Sequence, residues 1–439
     1  MRWTRWALCL GWLVAQAGIA RASPLSIGRF GGLRGDPMYE GAFALYWDPA
    51  ALAGPGWDVA LDGQLLSRQA TYDRDAALNN IPDDQKAANA GLAHVATTGF
   101  APGLAARWGK SVKYVDIGVG LGAFVDTGGA ATWDKNLSAP AEFPGAVDGP
   151  QRWASISANL LVVDLSVGFA VRHRRSGLSL GVAPLLAVGT FSTTRARNID
   201  RSEDLVDSAG NLKEGRAYFE GSGVGYGVVV GARWDIGPRW AIAATYQRGA
   251  RLMLTGDLQV AFGTQAPSSQ HAVLRLPIAD TVRLGASLRV TRRLTLRPSL
   301  EFALWSQLKR HVFAAASDGT PLLVIDREFS DTVAGRLRAD VRLGDRWKLM
   351  FGIGAEKGPT PTRTMEPGFG EGNSLEAGAG AMVALSHHVD LSATFFFHYF
   401  IPLTVTDSIQ QPPTNGTYTD QRQYVVVSLE VHGWQASLR

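Results

Sequence analysis

The chain has 439 residues, of which 43 are Lys or Arg and 39 are Asp or Glu, and its formal net charge is +4. The charges form no basic domain or tail, which argues against a nucleic-acid partner. Cys9 is the only cysteine, so a disulfide framework is excluded.

Residues 1–22 have the features of a secretory signal peptide. Arg2 and Arg5 precede an apolar run that ends in the sequence ARA at residues 20–22, a small-x-small cleavage pattern. We predict that export removes this leader and that the mature chain begins at Ser23. Without the three arginines of the leader, 40 basic residues face 39 acidic ones, so the mature chain is almost neutral.

Residues 23–57 follow the leader and match no strand pattern. Glycines and prolines, among them Pro37 and Pro49, interrupt any regular structure. Between them stand bulky apolar residues, including Ile27, Phe30 and Phe43. Such a segment needs another surface on which to bury its apolar residues, and the rest of the chain can supply that surface.

Alternating strands dominate residues 58–439. In residues 332–343, Arg336, Arg338, Asp340 and Arg342 fall on one face of a strand and apolar residues fall on the other. Four charges on one face do not fit an ordinary sandwich core. The pattern is typical of a strand with one face in water and one face in an apolar medium.

The connections predict how many strands there are. Six short turns join twelve strands, and one further strand at each end, near residues 59–72 and 423–431, makes fourteen. Short turns at one rim and long loops at the other are typical of an outer-membrane barrel. We therefore predict an all-β fold, a 14-stranded antiparallel transmembrane β-barrel. A soluble, secreted pair of β-sandwiches is the alternative. The predicted long loops lie near residues 73–103, 127–151, 197–219, 249–280, 308–330, 357–373 and 407–422.

A barrel of fourteen strands encloses a lumen too wide for its own side chains to fill. The lumen must hold water or a plug. We predict that residues 23–57 form an N-terminal hatch, which is a plug inside the lumen. Its centre is the stretch GAFALYWDPAALAG at residues 41–54.

Several stretches resemble the FadL/TodX family of outer-membrane transporters for hydrophobic compounds. The hatch motif Asp48, Pro49 and Ala50 resembles the family's Asn-Pro-Ala, and the likeness continues through residues 219–256, 276–307 and 329–407. Asp48 departs from the family's Asn, which brings a possible charge into the hatch. The C-terminal HGWQASLR also lacks the usual final aromatic residue, for which Trp434 is a substitute.

The resemblance implies a path for the ligand. In the family, extracellular loops catch a hydrophobic ligand, which enters the barrel and leaves sideways at a kink in the third strand. Here the third strand is predicted at residues 115–126. Its glycines Gly118, Gly120 and Gly122 either weaken pairing for a lateral opening or make room for the hatch.

Candidate ligand-binding residues come from three places. The hatch offers Ile27, Phe30 and Phe43; the predicted loop 249–280 offers Leu252, Met253, Leu254 and Phe262; and the inner wall offers Arg336 and Arg338 as cations for a carboxylate. The predicted loop 197–219 is more charged than a site for an apolar ligand should be. This charge argues against assigning the family's exact substrate to this chain.

These features predict a monomeric outer-membrane protein for passive uptake of hydrophobic compounds such as long-chain fatty acids. Aromatic hydrocarbons or other lipids are alternative ligands. A porin for polar solutes and a barrel enzyme are alternative classes. The chain has no Gly-x-Ser-x-Gly or His-Glu-x-x-His motif, which argues against the enzyme. We predict no catalytic residues, no metal and no cofactor.

Overall fold

The computed structural model describes residues 29–263 and 265–433. The predicted leader, the predicted start at Ser23, the ligand candidate Ile27 and the terminal Trp434 lie outside these residues. They remain predictions.

All strands of the described chain belong to one antiparallel sheet of 18 segments that closes into a barrel, because the first segment pairs with both the second and the last. The segments are β1 (Gly56–Arg74), β2 (Gly91–Val112), β3 (Val115–Thr132), β4 (Ser157–His173), β5 (Leu178–Arg197), β6 (Gly215–Ile236), β7 (Trp240–Arg248), β8 (Arg251–Ala261), β9 (Ser268–Pro277), β10 (Asp280–Arg289), β11 (Leu294–Leu304), β12 (Arg310–Ala315), β13 (Pro321–Asp326), β14 (Thr332–Leu343), β15 (Trp347–Glu356), β16 (Ser374–Ala384), β17 (Val389–Val405) and β18 (Gly416–His432).

The 18 segments form fourteen barrel strands. β7 and β8 both pair with β6, one above the other, and they are separated only by Gly249 and Ala250. Three more pairs of segments each form one barrel strand in the same way: β9 with β10, β11 with β12, and β13 with β14. The predicted fold class and strand number are therefore confirmed.

Helices are few and short. No helix in residues 29–263 or 265–433 has the length and apolar character that would span a bilayer. The α-helices are α1 (Ala44–Trp47) and α2 (Lys86–Asn89), and the 3₁₀ helices are Gly32–Arg34, Pro49–Leu52, Asp83–Gln85, Pro144–Asp148, Pro150–Trp153, Trp305–Gln307 and Thr362–Thr364.

Two predicted loops are largely strand. Residues 249–280 contain β8 and β9, and residues 308–330 contain β12 and β13. In β8 the inward residues are apolar, such as Leu252 and Leu254, while the outward residues include Asp257. This pattern is the reverse of a strand that faces lipid. The barrel wall thus continues into long extensions that the sequence pattern did not reveal.

The outer face near the short turns carries tryptophans, as an aromatic girdle requires. Trp240 and Trp347, which begin β7 and β15, are about half exposed, and Trp57, Trp108 and Trp234 are similar. Inward residues of the same strands are buried or polar. The wall therefore follows the period of two that its sequence predicts.

Candidate functional site

Residues 29–55 lie inside the barrel before β1, as the hatch prediction requires. The 3₁₀ helix Pro49–Leu52 packs against β4, β5 and β6. At one level of the wall, Gly118, Ala170, Gly181 and Gly231 are neighbours through strand pairing. We call Gly118, Gly181 and Gly231 the glycine row.

The glycine row gives the hatch motif its space. A Cβ atom at Gly118 would collide with the carbonyl oxygen of Leu52, one at Gly181 with the backbone of Pro49, and one at Gly231 with Asp48 Oδ1. Each glycine thus permits a close approach between hatch and wall. A larger residue at any of them would require the hatch or the wall to shift.

Asp48 is fully buried at this contact. Its Oδ1 accepts a hydrogen bond of 3.0 Å from the backbone N–H of Ala50 and caps the 3₁₀ helix. Its Oδ2 has no hydrogen-bond partner among the described residues. Burial raises the pKa of Asp48 to about 7. An Asn side chain would make the same cap without a charge.

One side of the lumen is apolar. We call it the apolar compartment: inward residues of β3 to β6, β8, β9, β12 and β13 packed with aromatic residues of the hatch. At its base the ring of Phe124 lies 5.0 Å from that of Phe30, 6.0 Å from that of Phe43 and 5.4 Å from that of Tyr46, centroid to centroid. Higher up lie Leu252, Leu254, Phe191, Phe219, Phe313 and Leu323.

The opposite side is ionic. We call it the ionic compartment: charged inward residues of β1, β10, β11 and β14 to β18. Arg338 binds Asp36 of the hatch at 2.9 Å and Asp340 at 2.8 Å. Arg34 of the hatch binds Glu430, whose carboxylate also accepts a hydrogen bond from the hydroxyl of Tyr39.

A cavity lies between the hatch and the ionic compartment. It is partly open to solvent, and Asp36 and Trp47 of the hatch line one side. Charged side chains line the other side, including Arg283, Glu301, Arg336, Glu356 and Arg422. Apolar residues such as Leu300 and Phe400 also line the cavity, but a purely hydrophobic ligand would have to desolvate the charged groups, so the cavity suits water better.

The wall has a break between β2 and β3. These strands pair only from Val112 and Val115 up to Gly103 and Phe124. Beyond that point β2 pairs only with β1, and β3 only with β4. At Asp126 the register of β3 against β4 shifts, which is a β-bulge. Contact resumes higher up, where His94 Nδ1 lies 2.8 Å from Asp134 Oδ2.

The predicted glycines lie below this break. Gly118, Gly120 and Gly122 pair regularly with β2 and β4. Added Cβ atoms at Gly120 and Gly122 would meet side chains of Leu52, Phe124 and Leu45. Of the two interpretations of these glycines, the geometry agrees with room for the hatch. The interruption in pairing with β2 starts after Phe124 instead.

A model of the outer-membrane protein transport family OMPP1/FadL/TodX matches residues 40–430, which is most of the chain. The chain belongs to the FadL/TodX family. Family membership makes it an outer-membrane transport protein rather than an enzyme, as predicted. A search of curated proteins found no match.

Solved structures similar to this FadL/TodX-family chain share its fold. A Pseudomonas aeruginosa FadL homologue has a TM-score of 0.75 at 14% identity, covering 94% of this chain and 98% of its own. The Pseudomonas putida toluene transporter TodX has a TM-score of 0.66 at 14% identity, covering 93% and 99%. The Ralstonia pickettii toluene transporter TbuX has 0.62 at 15%, covering 95% and 99%.

The predicted ligand residues of this FadL/TodX-family barrel are dispersed. Leu252 and Leu254 are buried in the apolar compartment, but Met253 faces outward and is 55% exposed. Phe262 follows the end of β8, beyond the extended wall. These four residues therefore do not form one surface, because alternate residues of one strand point to opposite faces. Their role in ligand binding stays a prediction.

The predicted cations are already neutralised. Arg336 lies within 4 Å of three carboxylates, those of Glu301, Glu356 and Glu376. Arg338 is held by Asp36 and Asp340, as described above. Neither arginine is available for a ligand carboxylate unless it gives up an acidic partner.

Sequence reasoning missed a second closure at the extracellular end. Residues 364–369, which we call the closing segment, are buried inside the rim. Glu366 at its centre binds Arg195 at 3.3 Å and Arg327 at 2.7 Å. Arg327 also lies 4.5 Å from the ring centroid of Phe369. The Glu and Phe in this stretch were the available signal, but their partners are distant in sequence.

Proposed function

We propose that this barrel carries hydrophobic compounds passively from the cell surface into the outer membrane, and that they leave through the break between β2 and β3. The observation that supports the route is the loss of pairing above Gly103 and Phe124. A closed wall offers no lateral exit, because every backbone group in lipid must otherwise be paired. The break adjoins the apolar compartment, where a hydrophobic ligand is stabilised by burial.

The charged residues support one substrate class over the other. A long-chain fatty acid needs a cation or donors for its carboxylate. Arg336, Arg338, Arg195 and Arg327 are all bound to acidic residues of the chain. The apolar compartment is instead lined with aromatic and aliphatic side chains. This arrangement favours neutral compounds, aromatic hydrocarbons among them, over fatty acids.

The bulge gives a direct test of the exit. Deleting Asp126 removes the extra residue of β3 and should let β3 continue its pairing with β2. We expect cells that depend on this barrel to lose most of their uptake of radiolabelled toluene. Heat-modifiable gel mobility should show that the barrel still forms.

A second irregularity supplies the control. β17 shifts register against β18 between Phe400 and Leu403, and β18 and β1 separate β17 from the break beside β2. Deleting Pro402 there should leave uptake intact. Normal uptake by the Asp126 deletion in a folded barrel would contradict the lateral exit.

A further inference from the structure

Asp164 is a buried carboxyl group in an apolar setting. It lies on β4, is 4% exposed, and shares the inward face with Leu160 and Val162. Its Oδ1 has no hydrogen-bond partner among the described residues. Buried polar groups are nearly always paired, so an unpaired carboxyl needs an explanation.

The neighbours of Asp164 cannot satisfy it. Across the sheet it pairs with Phe124 on β3 and Ala187 on β5, and both belong to the apolar compartment. Ser166, the next inward residue of β4, donates its hydroxyl to the carbonyl of Pro184 at 3.2 Å. No donor from these neighbours reaches the carboxyl. Leaving it unpaired costs several kcal/mol.

The hydrogen-bond donors near Asp164 bind a different carboxyl group, that of Asp126. Asp126 at the bulge of β3 is also 4% exposed. Its Oδ1 accepts a hydrogen bond of 2.7 Å from the hydroxyl of Tyr46, and its Oδ2 accepts one of 3.0 Å from Thr127 Oγ1. Asp126 is therefore satisfied by the chain itself, whereas Asp164 beside it is not.

A metal ion does not account for the pair. Within residues 29–263 and 265–433, no group of three or more His, Cys, Asp or Glu side chains is placed to hold one. Asp126 and Asp164 lack a third ligand. The missing partner of Asp164 must bring its own hydrogen-bond donor.

The position of Asp164 lies on the proposed route. Its strand partner Phe124 marks the last paired residue of β3 below the break and forms the aromatic base with the hatch. A molecule that moves from the apolar compartment to the break passes this carboxyl. The site is therefore placed to contact a transported ligand.

We propose that Asp164 recognises a hydrogen-bond donor, a hydroxyl or amino group, on an otherwise hydrophobic ligand. The inference rests on the proposed function, because it names the substrate class that the same route selects. Such a ligand is an aromatic or aliphatic alcohol, a phenol or an amine. A carboxylate is disfavoured, since two acidic side chains repel it.

Four probes of one size test this inference: toluene, benzyl alcohol, benzylamine and benzoate. Their binding to the detergent-purified barrel is measured by calorimetry. We expect benzyl alcohol and benzylamine to bind about tenfold more tightly than toluene, which is the gain from one hydrogen bond to a buried acceptor. Benzoate should bind most weakly.

Two variants of Asp164 and one control variant locate the effect. Asp164→Leu should abolish the preference over toluene, whereas Asp257→Leu, an exposed acid on the outer face of β8, should keep it. Asp164→Asn keeps the shape and an acceptor oxygen. It should retain benzyl alcohol binding and lose the advantage of benzylamine, and it carries the test if the leucine variant does not fold.

The outcomes separate the two proposals. Equal binding of toluene and benzyl alcohol to the wild type, or an unchanged preference in both Asp164 variants, would overturn the role of Asp164 and leave transport standing. If a heat-modifiable barrel bound none of the four probes, both proposals would fall. A preference for benzoate would also contradict the inference.

Discussion

At the level of the hatch motif, the two sides of the lumen hold the hatch by different means. On one side the wall presents Gly118, Gly181 and Gly231, and the backbone of residues 48–52 lies directly on them. Beyond Gly231, the same ring of paired residues continues through Thr245 to Arg283 and Glu301. Arg283 stacks over Tyr46 and Trp47 at 5.7 and 5.5 Å.

The two kinds of contact have different effects on the hatch: close packing fixes its position, and ion pairs fix its orientation. Close packing on the apolar side is insensitive to salt but intolerant of added volume. Ion pairs on the other side fix the angle of the hatch, yet each buried charge costs desolvation and depends on its partner. Four substitutions separate these contributions.

The largest effect should come from an unpaired charge on the ionic side. Glu430→Gln leaves the buried Arg34 without its carboxylate and should lower the free energy of unfolding by about 3–5 kcal/mol. Urea titration of the barrel in lipid vesicles measures the change. Adding Arg34→Met should restore most of the loss. Additive losses in the double variant would mean that the two residues are not coupled.

The next effect tests Asp48 at the border between the two sides. Between about pH 4, the ordinary range for an Asp, and about pH 7, the folded carboxyl keeps a proton that the unfolded one has lost. Hatch stability should therefore fall as pH rises through this window and stay constant above it.

Asp48→Asn should remove the part of this dependence that Asp48 contributes. At pH 8 the variant should be more stable than the wild type, by on the order of a few kcal/mol, while at pH 4 the two should agree closely. Asp207→Asn in an exposed loop is the matched control. A wild-type profile that is flat from pH 4 to pH 8 would refute the ionisation of a buried Asp48.

A smaller effect is expected from volume on the apolar side. Gly118→Ala places a methyl group against the carbonyl of Leu52 and should cost about 1–3 kcal/mol. Displacement of the hatch should speed amide hydrogen exchange in residues 48–52 of the detergent-purified barrel. Gly335→Ala, whose Cβ would have only Leu300 at 3.6 Å, is the control. Equal exchange rates in both variants would argue against close packing of the hatch on the glycine row.

The smallest effect should come from ion pairs outside the lumen. Lys213 contacts Asp200 at 2.6 Å and Asp204 at 2.8 Å in a loop open to solvent. Because exposed pairs contribute little, Lys213→Met should change stability by less than about 1 kcal/mol. A loss of stability as large as that of Glu430→Gln would show that burial does not decide how much an ion pair contributes to stability.

Much of the barrel could be predicted because its membrane-facing strands alternate so strictly. Arg336, Arg338 and Asp340 on one face were sufficient to indicate a wet interior. β8 and β9 were not recognised, because above the lipid the apolar residues turn inward and the outward residues are polar. A pattern that reverses along one wall has no local marker in the sequence.

The site was predicted only in part, because many of its residues are far apart in the sequence. Asp48, Pro49 and Ala50 form a compact motif that sequence can display. Asp126 and Asp164 become neighbours through strand pairing, and the neutralisation of Arg336 needs Glu301, Glu356 and Glu376 from three other strands. Such combinations depend on register, which a single sequence does not specify.

The closing segment at residues 364–369 and the hatch are two stoppers in series along the barrel axis. Displacing either one alone leaves the other in place, so no continuous column of water connects the medium with the periplasm. A hydrophobic solute that leaves sideways needs no such column. The permeability barrier of the outer membrane against hydrophilic toxins can thus persist during uptake.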